Sequence, residues 1–225
     1  MKTVVITGAS RGIGLATAAT FLAEGWRVVG TYVTTPIPIK DKNLISFRYD
    51  QGDPKSIAAF SKKVKGKIAT IDALVNNAGI LIDGKDKTAD PAAVRKTLEV
   101  NVVGVIDVTE RLLPLMKKGS QIVNLSSGYG TLSRPIDDAS CAGYRISKAA
   151  INMYTKHLAF RLKPKGIIVS SIRPGWVKTH MGYSIATERD KPSRTPELAA
   201  RDIFKLVTTV KETGQFWQDG KKQTW

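Results

Sequence analysis

Lys2-Thr3-Val4-Val5-Ile6-Thr7-Gly8-Ala9-Ser10-Arg11-Gly12-Ile13-Gly14 is an apolar, β-branched run that passes directly into a glycine-rich turn. A short run of this kind bounded by a turn reads as a strand buried on both faces. Gly8, Gly12 and Gly14 allow a tight turn and a close backbone approach to an anion. The helical pattern that follows, over 13–24, would aim its free amides and its dipole at that anion. Strand, glycine turn and helix in this order predict a loop that cradles a dinucleotide pyrophosphate. The spacing is Gly-x-x-x-Gly-x-Gly rather than the commoner Gly-x-Gly-x-x-Gly, and a plain glycine-rich turn has the same composition.

Outward from this stretch, strand-like and helix-like segments alternate. Strands are expected near 3–7, 27–32, 44–49, 72–76, 121–126, 167–173 and 215–218, and helices near 13–24, 54–65, 91–116, 144–162 and 196–210. Pro54, Pro91 and Pro196 suit helix starts. This alternation predicts an α/β chain with a Rossmann-type, doubly wound, seven-stranded parallel sheet and helices on both faces. In such a sheet ligands bind at the carboxyl ends of the strands, where Gly8, Asp50, Gly79, Ser127 and Pro174 all fall. Thr34 to Lys42 reads as a short loop and His180 to Thr195 as a longer polar one. The 225 residues, 42% of them hydrophobic, suffice for one compact domain over 1–225. Without an apolar run of membrane-spanning length or a leader-like segment, a soluble cytoplasmic protein is expected. Cys141 is the only cysteine, and His157 and His180 are the only histidines. Neither an intramolecular disulfide nor a metal site is therefore expected.

A second motif is Tyr144-Arg145-Ile146-Ser147-Lys148. Residues four apart share one face of a helix, so the phenol of Tyr144 and the ammonium of Lys148 come together. A phenol with a pKa of about 10 is a poor acid or base near neutrality, and a fixed cation beside it moves it toward working range. An exposed amphipathic pair has the same spacing. Taken with the glycine loop, the motif resembles the short-chain dehydrogenase/reductase family, whose loop has the form Thr-Gly-x-x-x-Gly-x-Gly and whose catalytic pair is Tyr-x-x-x-Lys. The resemblance extends along nearly the whole chain. Asn76-Asn77-Ala78-Gly79 is similar to the family segment that stabilises the central sheet and lies against the cofactor. Asn101 matches the active-site helix asparagine and Ser127 the catalytic serine. Pro174-Gly175-Trp176-Val177-Lys178-Thr179 matches the Pro-Gly-x-Val-x-Thr segment near the nicotinamide, which brings Pro174, Gly175, Val177 and Thr179 toward the cofactor.

The resemblance implies reversible hydride transfer between a nicotinamide and a carbonyl. Tyr144 would give the alkoxide its proton in the reducing direction, and Ser127 would donate a hydrogen bond to the substrate oxygen. Lys148 would lower the tyrosine pKa and hold the nicotinamide ribose, and Asn101 would hold a water connecting Lys148 to solvent. Cofactor contacts are expected from Gly8, Ser10, Arg11, Gly12, Ile13, Gly14, Asn77, Ala78 and Gly79. Asp50 and Gln51 would lie at the adenine, although Asp50 is also a candidate helix cap. An acid just after the second strand would favour NAD(H), but the sequence there is Tyr32-Val33-Thr34-Thr35. NADP(H) is therefore favoured over NAD(H), with Arg11, Thr34 and Thr35 available to a 2′-phosphate.

Gly128 to Gly143, including Arg134-Pro135-Ile136-Asp137-Asp138 and Cys141, should border the substrate pocket, with Tyr129, Trp176, Met181 and Tyr183 as candidate walls. The length of this segment, and the ending Gly214-Gln215-Phe216-Trp217-Gln218-Asp219-Gly220 with Trp225, resemble the carbonyl-reductase-like branch. An aldehyde or ketone is thus the expected substrate. The family resemblance also implies a homodimer or homotetramer through the helices carrying Asn101 and Tyr144, although carbonyl-reductase-like relatives can be monomers. Two other classes are weighed. A net charge of +16, from 35 Lys+Arg against 19 Asp+Glu, raises a nucleic-acid-binding protein that would use Lys62, Lys63, Lys65 and Lys67. Missing interleaved aromatics and the lack of any nucleic-acid module weigh against it. A dinucleotide-binding regulator without chemistry would not need Asn101, Ser127, Tyr144 and Lys148 together.

Overall fold

The computed structural model describes residues 1–136 and 138–225, so Asp137 of the expected pocket-bordering loop lies outside the described residues. Eight strands form one sheet: β1 (Thr3–Ile6), β2 (Arg27–Tyr32), β3 (Leu44–Arg48), β4 (Ile71–Asn76), β5 (Met116–Leu125), β6 (Ile168–Ile172), β7 (Gln215–Gln218) and β8 (Lys221–Gln223). Their order is β3-β2-β1-β4-β5-β6-β7-β8. The first seven pair in parallel and β8 adds to β7 antiparallel. The expected seven-stranded sheet is thereby corrected to eight. The last strand is reached through Asp219 and Gly220, both at positive φ (50° and 71°), a two-residue hairpin turn whose Asp-Gly signal was present in the sequence.

Helices α1 (Gly12–Ala23), α2 (Pro54–Lys65), α3 (Pro91–Leu98), α4 (Gly104–Leu112), α5 (Ala142–Leu162), α6 (His180–Ser184) and α7 (Pro196–Thr209) connect the strands. Side-chain alternation along β1 divides the core in two. Val4 and Ile6 face a layer completed by Phe21 and Leu22 of α1 and Ile203 and Leu206 of α7. Val5 faces Phe60 of α2, Val108 of α4 and Leu158 of α5. The two covered faces explain why the strands read as continuous apolar runs.

The helix expected over 91–116 is broken. Between α3 and α4 the chain makes one π-helical turn, Glu99–Val103, and after α4 a 3₁₀ turn, Leu113–Leu115, so that β5 already begins at Met116. Pro114 cannot donate to a continuing helix. At the other break, a side chain on Gly104 would overlap the carbonyl of Gln51, so α4 lies directly on the loop after β3. The expected loop over 180–195 contains the short helix α6, capped by Thr179, whose Oγ1 accepts from the Gly182 amide at 3.0 Å. Among the described residues, no helix is long and apolar enough to cross a membrane.

Candidate active site

Strand order reverses between β1 and β4, which leaves a crevice at their carboxyl ends. A cleft of about 1060 Å³ occupies it. Gly8 (φ 69°) and Gly12 (φ 56°) turn the chain there in the left-handed region that glycine tolerates. A side chain at Gly14 would overlap the Gly8 carbonyl oxygen. Asn77 fastens the loop from below, with Nδ2 donating to the Thr7 and Gly8 carbonyls at 2.8 and 2.9 Å. Thr31 Oγ1 accepts from the Gly8 amide at 2.9 Å. Arg11, the N-cap of α1, makes no side-chain capping hydrogen bond. The first-turn amides of a twelve-residue helix therefore face the cleft without a side-chain acceptor. A glycine cradle that leaves no room for a side chain at Gly14, with a helix N-terminus behind it, fits a dinucleotide pyrophosphate.

Of the sequence-predicted cofactor residues, Gly8, Ser10, Arg11, Gly12, Ile13, Gly14, Tyr32, Thr34, Asp50, Gln51, Asn77, Ala78, Gly79, Tyr144, Lys148, Pro174 and Thr179 line this one cleft. Gly175 and Val177 do not. Gly175, at φ 80°, turns the backbone beneath Arg194, and Val177 is buried with its backbone bridged to that same residue. Gln51 has its side chain turned inward, where Nε2 donates to the carbonyls of Ala78 (3.1 Å) and Val100 (2.8 Å). Asp53 rather than Asp50 caps α2, accepting from the Lys55 amide.

At one end of the cleft stand Ser127, Tyr144 and Lys148. Ser127 follows β5 and its Oγ accepts from the Tyr129 amide at 3.1 Å. The Tyr144 phenol lies near the Ser127 hydroxyl. Burial pushes the phenol up to about 12, and the Ser127 hydroxyl pulls the other way. Lys148 is 6% exposed; its Nζ donates to the Leu125 carbonyl at 2.8 Å and lies 5.3 Å from the Tyr144 ring centroid. Its burial depresses its own pKa to about 8. The ammonium is held by a backbone carbonyl, and desolvation dominates at both groups.

Asn101 sits in the π turn, a distortion that recurs at functional positions. Oδ1 accepts from the Ile80 amide at 2.8 Å, while Nδ2 donates to the Ile80 carbonyl at 2.9 Å and Ser147 Oγ at 3.1 Å. A Cβ on Gly79 would be 3.2 Å from Asn101 Oδ1 and 3.8 Å from Lys148 Nζ. Asn101 thus ties the strand β4 exit to the helix carrying Tyr144 and Lys148.

One residue of this assembly escapes a sequence reading. Asp83, 3% exposed, accepts from the Gly143 amide through Oδ2 at 2.6 Å, and its carbonyl accepts from the Cys141 amide at 3.1 Å. Cys141 is left-handed (φ 62°), so the loop after β4 holds a strained turn immediately before Tyr144. The only signal was an acid directly after the apolar Ile80-Leu81-Ile82. Asp83→Ala is expected to cost about 1 kcal/mol of stability, as for a lost helix cap, and up to about 10²-fold in turnover by displacing Tyr144. Asp83→Asn, which keeps an acceptor for Gly143, should retain most of both. Thermal unfolding and steady-state kinetics on the two variants check this.

The family model described as short chain dehydrogenase matches residues 2–190. The chain belongs to the short-chain dehydrogenase family. Members of this family are oxidoreductases that bind a nicotinamide cofactor. The chain is 35% identical over 217 residues to the oxidoreductase UcpA of Escherichia coli (strain K12), covering 92% of this chain and 80% of the relative. The NADPH-bound carbonyl reductase from chicken fatty liver superposes with a TM-score of 0.85 at 26% identity, over 100% of this chain and 94% of that one. A short chain dehydrogenase from Burkholderia cenocepacia J2315 in complex with NADP superposes with a TM-score of 0.81 at 26% identity, over 96% and 94%.

Proposed function

We propose that residues 1–225 form one catalytic domain that reduces an aldehyde or ketone with NADPH, Tyr144 serving as the proton donor. The observation that carries this reading is the grouping of Tyr144 and Lys148, with Ser127 beside them, at the end of a cleft whose other end is a pyrophosphate cradle. The amides of the Gly8 to Gly14 turn and of the α1 N-terminus would hold the pyrophosphate, with Asp50 and Gln51 at the adenine and Lys148 at the ribose. When bound, the dinucleotide supplies the hydride to the carbonyl carbon. Ser127 holds the carbonyl oxygen with a hydrogen bond that strengthens as negative charge builds on it. The neutral Tyr144 phenol delivers the proton to that oxygen, and the buried Lys148 ammonium stabilises the phenolate left behind. Because burial favours the neutral phenol, the site is poised as an acid near neutrality, which suits reduction. Alcohol oxidation would need the phenolate first.

NADP(H) is preferred to NAD(H) in this reading because the cleft wall after β2 is Tyr32, Val33, Thr34 and Thr35, without a carboxylate to repel a 2′-phosphate, and Arg11 lines the same cleft. The NADPH-bound and NADP-bound neighbours support the same choice. The deciding experiment follows NADPH and NADH oxidation with a panel of aldehydes, ketones and quinones. NADPH-dependent turnover is the expected result. Dinucleotide binding without turnover of any carbonyl would instead favour a regulator.

The assembly proposed is a homodimer or homotetramer built on α5. Ile146, Met153 and Phe160 recur at seven-residue spacing on its outer face and are 49, 64 and 83% exposed, with Val103 of the π turn at 48%. Apolar side chains aligned on one helix face in this way match a surface covered by a second copy. Met153→Glu/Phe160→Glu is expected to convert the oligomer to monomer, read by size-exclusion chromatography with light scattering. A wild-type monomer would refute the assembly.

A further inference from the structure

Beyond Lys148 and Arg11 the basic residues have no part in the chemistry above, and one group of them lies at the end of the sheet opposite the cleft. In a parallel sheet every strand start lies at that end. There, Lys2 precedes β1, Arg27 opens β2, Lys67 precedes β4, Lys117 and Lys118 lie in the first turn of β5, and Lys165 precedes β6. All are exposed except Arg27, which is half-buried. Lys117 has a carboxylate, Asp72, at 4.0 Å; the other five have none within ion-pair distance among the described residues. Helix C-termini also point this way, and lysines compensate their dipoles. That accounts for Lys62, Lys63 and Lys65 in the last turn of α2, but not for a basic residue at the start of five adjacent strands. The row therefore exceeds what the helices need.

We infer that this face is a docking surface for the phosphate backbone of a double-stranded nucleic acid, bound without regard to sequence. Adjacent strands about 4.8 Å apart make the row from β2 to β6 roughly 20 Å long, which spans about six base-pair rises of a duplex and can face about five of the phosphates of its two strands. The charges are almost all lysines, which contact phosphates as point charges, and no large apolar residue other than Met1 is exposed among them. Apart from Met1, exposed side chains that stack on bases or insert into a bilayer are thus missing from the described residues of this face. An indentation of about 520 Å³, lined by Lys2, Arg27, Asp72 and Lys117, lies within the row. A flat bilayer would bridge such a hollow, whereas a phosphate backbone can follow it. Docking here leaves the cleft at the opposite end open to dinucleotide and substrate.

The test measures fluorescence anisotropy of a labelled mixed-sequence duplex of about 30 base pairs. It compares the wild type, Lys117→Glu/Lys118→Glu/Lys165→Glu, and an equally charged control, Lys55→Glu/Lys87→Glu/Lys191→Glu, reversed outside the row. The wild type is expected to bind, and to lose about 10²–10³-fold in affinity between 50 and 200 mM salt for about five phosphate contacts. The row variant should bind at least about tenfold more weakly than the control, with carbonyl turnover unchanged, which also shows that it is folded. An equal loss in both variants would overturn the docking face in favour of diffuse charge. So would no binding at low salt, or binding to phosphatidylserine vesicles but not to duplex.

Discussion

Tyr144→Phe is expected to lower kcat for carbonyl reduction by about 10²–10⁴-fold, the range typical of a positioned acid–base group, while the dissociation constant for NADPH stays within about twofold. The substitution removes one oxygen. The ring, which meets Tyr129 edge to face with centroids 6.4 Å apart, keeps its packing, so α5 should not shift. What is lost is the proton at the substrate oxygen and the phenol's polar contact with the Ser127 side of the cleft. Stopped-flow hydride transfer together with dinucleotide titration by fluorescence separates the two quantities. Retention of kcat would remove Tyr144 from the chemistry, and a parallel loss of cofactor affinity would instead make it a binding residue.

Lys148→Met is the second large effect, and it is expected to move activity and stability in different directions. Turnover should fall by about 10²–10³-fold, because a fixed, largely buried cation beside the phenolate is removed. Stability should not fall with it, because burying an ammonium with one carbonyl partner costs more than burying a thioether of similar length. The pH dependence gives the sign. The folded state holds the Lys148 proton with a pKa of about 8 against an ordinary 10.5. Between those values the unfolded chain binds more protons, so wild-type stability gains as pH rises through that window. Below about 8 both states are protonated and the full penalty remains. Denaturant midpoints for wild type and Lys148→Met should therefore differ in the wild type's favour by roughly 3 kcal/mol more at pH 10.5 than at pH 7. In the wild type, kcat/KM for reduction should decline above about pH 8 as the ammonium is lost, while Tyr144, near 12, stays protonated. A pH-independent stability difference would show that Lys148 titrates normally.

Much of this site was legible because its signals are local. Gly8, Gly12 and Gly14 announce a turn through their own backbone freedom, and Tyr144 and Lys148 share a face through helical periodicity alone. Asp53, Asp90 and Thr195 each precede a proline and cap α2, α3 and α7, as the pattern of polar cap followed by proline suggests. The parts that were misread are those in which a distant segment overrides local preference. Residues 91–116 have the periodicity of one helix, yet Ile80 claims both polar ends of the Asn101 side chain and the loop before α2 presses on Gly104.

The sequence by itself determined the layered α/β architecture, the order of its elements and the chemical types gathered at the carboxyl ends of the strands. Strand and helix periods, turn glycines and cap residues act over a few positions and need no partner to be read. Tertiary structure decided how those types are held and charged. The clasp of Asp83 on the helix carrying Tyr144 joins residues 60 apart, the phenol near 12 and the ammonium near 8 are products of enclosure by the whole cleft, and the basic row exists only because five strands start at one edge. Desolvation and long-range contact depend on what surrounds a group in space, and no stretch of chain carries that information alone.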